Sequence, residues 1–283
     1  YDRPMADAAF RLVDGKPRLA AEATRGRTLE MEAGVDAVLA AFGRPDPAVV
    51  LRSRALEPRW TGEDLPKIVV GDDVLAEAST YYGDSSAPRR QNVERAVALE
   101  SGWLVPPGGV FSYADHIRPI DAGNGFVTGF GIVAEGAGFT TSPVIGGGIC
   151  QVSTTLFQAA FWAGMPIVER YQHPYYLRAY GEAVSGLPGL DAMVNIEADW
   201  TLDLRFRNAT DDWLAVVLVA DGENVWARLV GTDPGWEVEV GEPVISNRVT
   251  ADDRMQILDS PELPAGETRV VETAQDGFDV AIR

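Results

Sequence analysis

The chain has 283 residues, 46% hydrophobic content and a formal net charge of −18 at pH 7. That length and apolar content allow a sizeable core and two or three domains, while the acidic balance argues against a nucleic-acid partner, which calls for a basic surface. The longest apolar stretches, such as Leu214 to Ala220, are strand length and too short to span a membrane.

In chain order, residues 8–21 read as a β-hairpin turning at Asp14-Gly15. Glu30 to Phe42 reads as a helix ended by Gly43, and Val49 to Leu56 as a strand. These elements form a small α+β unit over residues 1–65, followed by a Pro-rich linker around Pro58 to Pro66. A larger α+β unit is expected over 70–232, with strands at 201–207, 213–220 and 225–230 and a turn at Asp221-Gly222. Residues 233–283 read as a β-rich extension. Tyr1 stands where an initiator methionine is usual, which fits a trimmed or processed exported chain.

The only cysteine, Cys150, follows Gly146-Gly147-Gly148-Ile149. Beyond it, Val152, Leu156, Ala159, Ala160 and Ala163 recur at helical spacing, and Gly164 closes the run. A glycine loop therefore delivers a thiol to the first turn of a helix. Unpaired N–H groups and the helix dipole favour a thiolate there. The plain alternative is a small buried hydrophobe, but a core cysteine needs no glycine run before it. A single cysteine forms no internal disulfide, and a cysteine–histidine metal cluster is disfavoured by the count. No metal or other cofactor is expected.

A thiol nucleophile needs a base, and the chain has two histidines, His116 and His173. His116 reads as a structural loop residue. His173 lies in Ile167-Val-Glu-Arg-Tyr-Gln-His173-Pro174, which reads as a strand returning from the helix. Alternation puts Glu169 and His173 on one face and Arg170 on the other, and the plain alternative for His173 is an edge-strand surface residue. The histidine is expected within about 4 to 5 Å of the sulfur. A third group should orient the imidazole: Asp191, opening the next strand at Asp191 to Glu197, is preferred over Glu169. Cysteine on a helix, histidine on a strand and an acid on the next strand is the order used by papain-like and transglutaminase-like enzymes. The fold class expected is thus α+β, with the cysteine helix packed on antiparallel strands.

These motifs carry a resemblance. Gly-Gly-Gly-Ile-Cys150-Gln-Val-Ser-Thr-Thr-Leu-Phe, Glu169-Arg170-x-x-His173 and Gly189-Leu-Asp191-Ala closely resemble the VanW family. So do Asn92-Val93 and Pro106-Pro-Gly108-Gly-Val-Phe111-Ser112, over roughly residues 77 to 231. Tyr113 and Pro174 stand where phenylalanine and serine are commoner in the family. More weakly, Ala6-Asp7-Ala8-Ala-Phe10 and Gly26-Arg-Thr-Leu-Glu30 resemble a peptidoglycan-binding domain that often precedes the VanW region, and Leu263-Pro-Ala-Gly-Glu-Thr-Arg resembles the opening of a surface repeat domain. The resemblance implies a bacterial cell-wall protein outside the cytoplasm, linked to glycopeptide resistance, with peptidoglycan as partner. Some family members are regarded as cysteine-dependent L,D-transpeptidases. Carried over, Cys150 and His173 match the family's cysteine and histidine; the catalytic role of Asp191 is our inference. Gly147, Gly148, Gln151, Ser153 and Arg170 are the expected substrate-binding residues. Lys16 and Lys67 are the only lysines, so nearly all positive charge is arginine, whose fork suits the carboxylates of stem peptides. The expected activity is acyl transfer to an amine or to water. A non-catalytic wall-binding module is the alternative.

Overall fold

The computed structural model describes residues 2–44, 48–135, 138–181, 185–197, 199–251, 264, 266–268 and 275–283. Within it, Leu214–Ala220 and Asn224–Gly231 pair antiparallel across a turn at Asp221. Their β-branched and aliphatic residues alternate between two covered faces, which suits a central strand pair. Asp73–Tyr81 joins the second strand and Leu104–Val105 the first, giving a four-stranded antiparallel sheet. Helices and strands mix without a βαβ repeat, so the chain is α+β.

One face of this sheet carries the long helices. We label the helices α1 (Met31–Ala41), α2 (Ala87–Glu100), α3 (Tyr113–Ile117) and α4 (Ile149–Trp162). Helix α4 lies on the Asp73–Tyr81 and Asn224–Gly231 strands, and α2 lies on Leu214–Ala220 and touches α4. Val152, Leu156, Ala159 and Ala160 from α4 meet Val225, Ala227 and Leu229 from the sheet, all nearly or fully buried. Each large aliphatic side chain buried this way contributes about 1.5–3 kcal/mol, so the seating of α4 is strongly fixed.

The opposite face is covered by the N-terminal hairpin, Ala9–Val13 paired with Lys16–Ala21. Phe10 and Ala8 form a second apolar cluster with Ile68, Leu104, Trp213 and Ala215. The Phe10 and Trp213 rings meet edge to face at 5.6 Å between centroids, and Trp60 meets Trp213 at 4.9 Å. Arg11 adds hydrogen bonds to Ala98 O and Ser101 O at the C-terminal end of α2.

Several elements differ in extent from the sequence reading. The hairpin turn falls at Asp14-Gly15 as expected, while the Val49 to Leu56 segment pairs only over Ser53–Leu56. The stretch read as a linker contains a 3-10 helix, Gly62–Lys67. Thr61 and Asp64 cap it reciprocally, a signature visible in Thr-x-x-Asp. The strand expected from Ile167 to His173 stops at Glu169, and its register with Arg205–Arg207 shifts between Ile167 and Glu169. Strict alternation is lost there, and Pro174, which has no N–H to donate, follows His173. Asp191 to Glu197 likewise keeps a short strand at Asn195–Ile196 and one bridge, Met193 to Tyr171. In the extension, Val244–Val249 pairs with Gly277–Ala281. Leu263, Ala265 and Arg269 of the Leu263-Pro-Ala-Gly-Glu-Thr-Arg segment lie outside the described residues.

Candidate active site

A β-hairpin, Thr128–Glu135 with Gly138–Ile145, runs straight into the glycine loop and then α4. Two of the glycines are fixed by their surroundings. Gly148 is the N-cap of α4 at φ +120°, which side chains disfavour. Gly147 lies against the hairpin backbone, where a Cβ would come within 2.5 Å of Phe130 O. Asn92, fully buried on α2, holds this loop. Its Nδ2 donates to Gly147 O and Val127 O, both at 3.0 Å, and its Oδ1 accepts from Val127 N at 2.8 Å. Asn92 was quoted in the family motif but not expected at the site.

Cys150 lies in the first turn of α4 and is half-buried. The Ile149 and Gln151 N–H groups donate to Gly146 O and Gly148 O. The Cys150 N–H between them has no acceptor among the described residues. The Cys150 Sγ contacts Val194 O at 3.3 Å, and the Tyr113 hydroxyl donates to Ile149 O at 3.1 Å.

His173 is buried, and the Cys150 thiol is close enough to act on its charge. Its Nδ1 is 2.6 Å from Asp191 Oδ2, and the same oxygen accepts from the His173 backbone N–H at 2.7 Å. Burial opposes a charge on this ring, but Asp191 and Cys150 outweigh it and raise its pKa to about 9. The carboxylate is itself held. Arg170 Nε donates to Asp191 O at 2.6 Å, and Nη2 donates to Asp191 Oδ1 at 3.0 Å and to Gly189 O at 2.5 Å. The Arg170 guanidinium also covers the Phe157 ring at 5.1 Å. Arg170, which alternation turned away from the histidine, therefore reaches the site through its length and acts on Asp191. Glu169 faces elsewhere: it accepts from Asp203 N at 3.2 Å and pairs with Arg205 at 3.7 Å.

Gln151 and Ser153 point inward. Gln151 is 1% exposed and donates from Nε2 to Thr80 Oγ1 and Tyr81 O. Ser153 donates to Ala192 O at 2.6 Å and, with Thr154, ties the Asp191 segment onto α4. His116 stands apart, stacked on Trp103 at 4.1 Å, with burial driving its pKa down to about 4. Among the described residues, no group of three or more His, Cys, Asp or Glu could hold a metal ion. Nor is any helix among them long and apolar enough to cross a membrane.

An α+β scaffold carrying a cysteine at a helix start, beside a histidine held by an aspartate, defines the class. The family described as "VanW like protein" matches residues 88–230, and the chain belongs to that family. It is 32% identical over 138 residues to the uncharacterized protein YoaR of Bacillus subtilis, covering 47% of this chain and 40% of that one. It is 31% identical over 135 residues to the vancomycin B-type resistance protein VanW of Enterococcus faecalis, covering 47% and 46%. The aligned region thus spans less than half the length of these curated relatives. No solved structure matches the chain.

Proposed function

We propose that this protein is a cell-wall enzyme that carries out cysteine-dependent acyl transfer on peptidoglycan stem peptides, in an arrangement like that of papain and the transglutaminases. The observation that carries the reading is the hydrogen-bonded series Arg170–Asp191–His173 ending at the half-buried thiol of Cys150. Asp191 on Nδ1 leaves Nε2 to face Cys150, and a histidine raised to about 9 holds the proton at neutral pH. The thiolate attacks a peptide carbonyl, the Cys150 N–H steadies the oxyanion, and His173 protonates the leaving amine. A second amine as acceptor gives L,D-transpeptidation; water gives peptidase activity. The similarity to a vancomycin-resistance protein supports a cell-wall setting outside the cytoplasm.

The contact between Cys150 Sγ and Val194 O favours a second reading, a wall-binding module in which the thiol is a structural donor. Mass spectrometry of peptidoglycan fragments decides between them. Acyl transfer predicts new cross-linked or shortened fragments with the wild-type chain and none with Cys150→Ala. Identical fragments from both proteins favour the binding module.

A further inference from the structure

Arg89 lies in the first turn of α2 and crosses the glycine loop: a Cβ on Gly148 would come within 3.2 Å of Arg89 Cγ. Its Nη2 donates to Gln151 Oε1 at 2.9 Å and to the Tyr180 hydroxyl at 2.6 Å. Gln151 follows Cys150 in the chain, and the Tyr180 ring centroid is 5.7 Å from that of His173. The cation therefore contacts a neighbour of each member of the Cys150–His173 pair.

Both of its partners are neutral. Among the described residues no carboxylate pairs with Arg89, in a chain with 42 acidic residues against 24 basic ones. The two Nη2 protons are used, while the Nε and Nη1 protons donate to no described residue. Neighbouring arginines differ. Arg170 is neutralised by Asp191, and Arg90 is spent on Gly83 O and Gly222 O. Gln151, anchored to Thr80 and Tyr81, fixes the guanidinium before any ligand arrives. A preset arginine with open donors and no counter-ion is built to receive a planar oxyanion.

We infer that Arg89 binds the free carboxylate of the substrate's C-terminal residue, so that the site acts on the last peptide bond of a chain and not on internal ones. The inference rests on the reading of Cys150 as the reactive centre and names its substrate class. The Cys150 sulfur bonds to the carbonyl carbon of the penultimate residue, and the C–N bond to the terminal residue breaks. That residue leaves as a free amino acid, taking its proton from His173, with its carboxylate still on Arg89. The acyl group stays on sulfur as a thioester until an amine or water takes it.

The test is binding without turnover. In the full chain carrying Cys150→Ser, the affinities of N-acetyl-alanyl-alanine and its C-terminal amide are compared by calorimetry, using both L and D forms. The acid should bind at least about tenfold tighter than the amide. Arg89→Gln should abolish that preference, and Arg89→Lys, which keeps the charge, should retain part of it, which a merely structural loss would not do. Circular dichroism checks that each variant is folded. Equal affinity for acid and amide, no binding of either, or a preference that survives Arg89→Gln would overturn the assignment. Turnover of stem peptides alongside equal acid and amide binding would leave acyl transfer standing and remove only the role of Arg89. An acid preference without turnover would leave the anchor in a binding module.

Discussion

Replacing Asp191 with asparagine probes the site most sharply, because the chain contains only two histidines and they are driven in opposite directions. The His173 ring is buried and the His116 ring is half-buried, and burial alone lowers an imidazole pKa. His116 shows that effect, at about 4. Glu100 lies 3.6 Å away, but burial pushes its carboxyl well above the ordinary range and so disfavours the charged form that would support an imidazolium. His173 is raised to about 9 because Asp191 and Cys150 supply what Glu100 does not. The two rings thus differ by roughly 7 kcal/mol in their preference for the proton. Asp191→Asn keeps the shape and removes the charge. Losing an adjacent opposite charge lowers the His173 midpoint by about 1–3 pH units, or about 1.4–4 kcal/mol. Proton NMR of the two imidazole Cε1 signals follows this directly: the upper titration should fall in the variant and the His116 titration should stay. Acyl transfer should drop about 10²–10⁴-fold with substrate affinity little changed. An upper midpoint that does not move would refute the claim that Asp191 holds the charge on His173.

Other outcomes follow from the same structure. His173, raised in the folded state, contributes stability fully present below about pH 6.5 and lost as pH rises through about 9, on the order of 3 kcal/mol. Chemical denaturation at pH 6.5 and 9.5 should show that loss in the wild type and far less of it in His173→Ala. Glu100→Gln removes a buried acid whose charged form is disfavoured by burial, so it should raise the melting temperature at pH 8 more than at pH 5; equal shifts would mean that burial does not raise the Glu100 pKa. Asn92→Ala removes the three hydrogen bonds of a buried amide and should cost about 2–4 kcal/mol and slow iodoacetamide labelling of Cys150; unchanged labelling would separate the glycine loop from the thiol. We propose that residues 70–232 fold on their own. A chain beginning at Val70 should then stay folded with Cys150 reactive, although it exposes Trp213, Leu104 and Ala215; loss of folding would mean that Phe10 belongs to a shared core.

The local features of this fold were legible where one segment carries its own signal. The Asp14-Gly15 turn, the Leu214–Ala220 and Asn224–Gly231 strands and the Cys150 helix closed by Gly164 follow from alternation, helical spacing and glycine placement. Asp191 was readable as the partner of His173 only from chain order. What holds it there, the Arg170 fork, was not readable: strand alternation gives the direction of a Cβ, not the reach of an arginine past a register shift. Asn92 and Arg89 were hidden for a related reason. Their partners Gly147, Gln151 and Tyr180 lie 55 to 91 residues away, and no local pattern records such pairings. The placement of Phe10 against Trp213 likewise depends on how two distant hairpins meet.

The central claim is that Cys150 carries the acyl group. Intact-protein mass spectrometry during incubation with purified peptidoglycan fragments tests it without assuming an acceptor. The account predicts a transient adduct equal in mass to the fragment minus its leaving amine, mapped to Cys150, sensitive to hydroxylamine, weaker in His173→Ala and absent in Cys150→Ala. Fragments converted to product at the same rate by Cys150→Ala, or a wild-type chain that forms neither adduct nor product while binding those fragments, would contradict it.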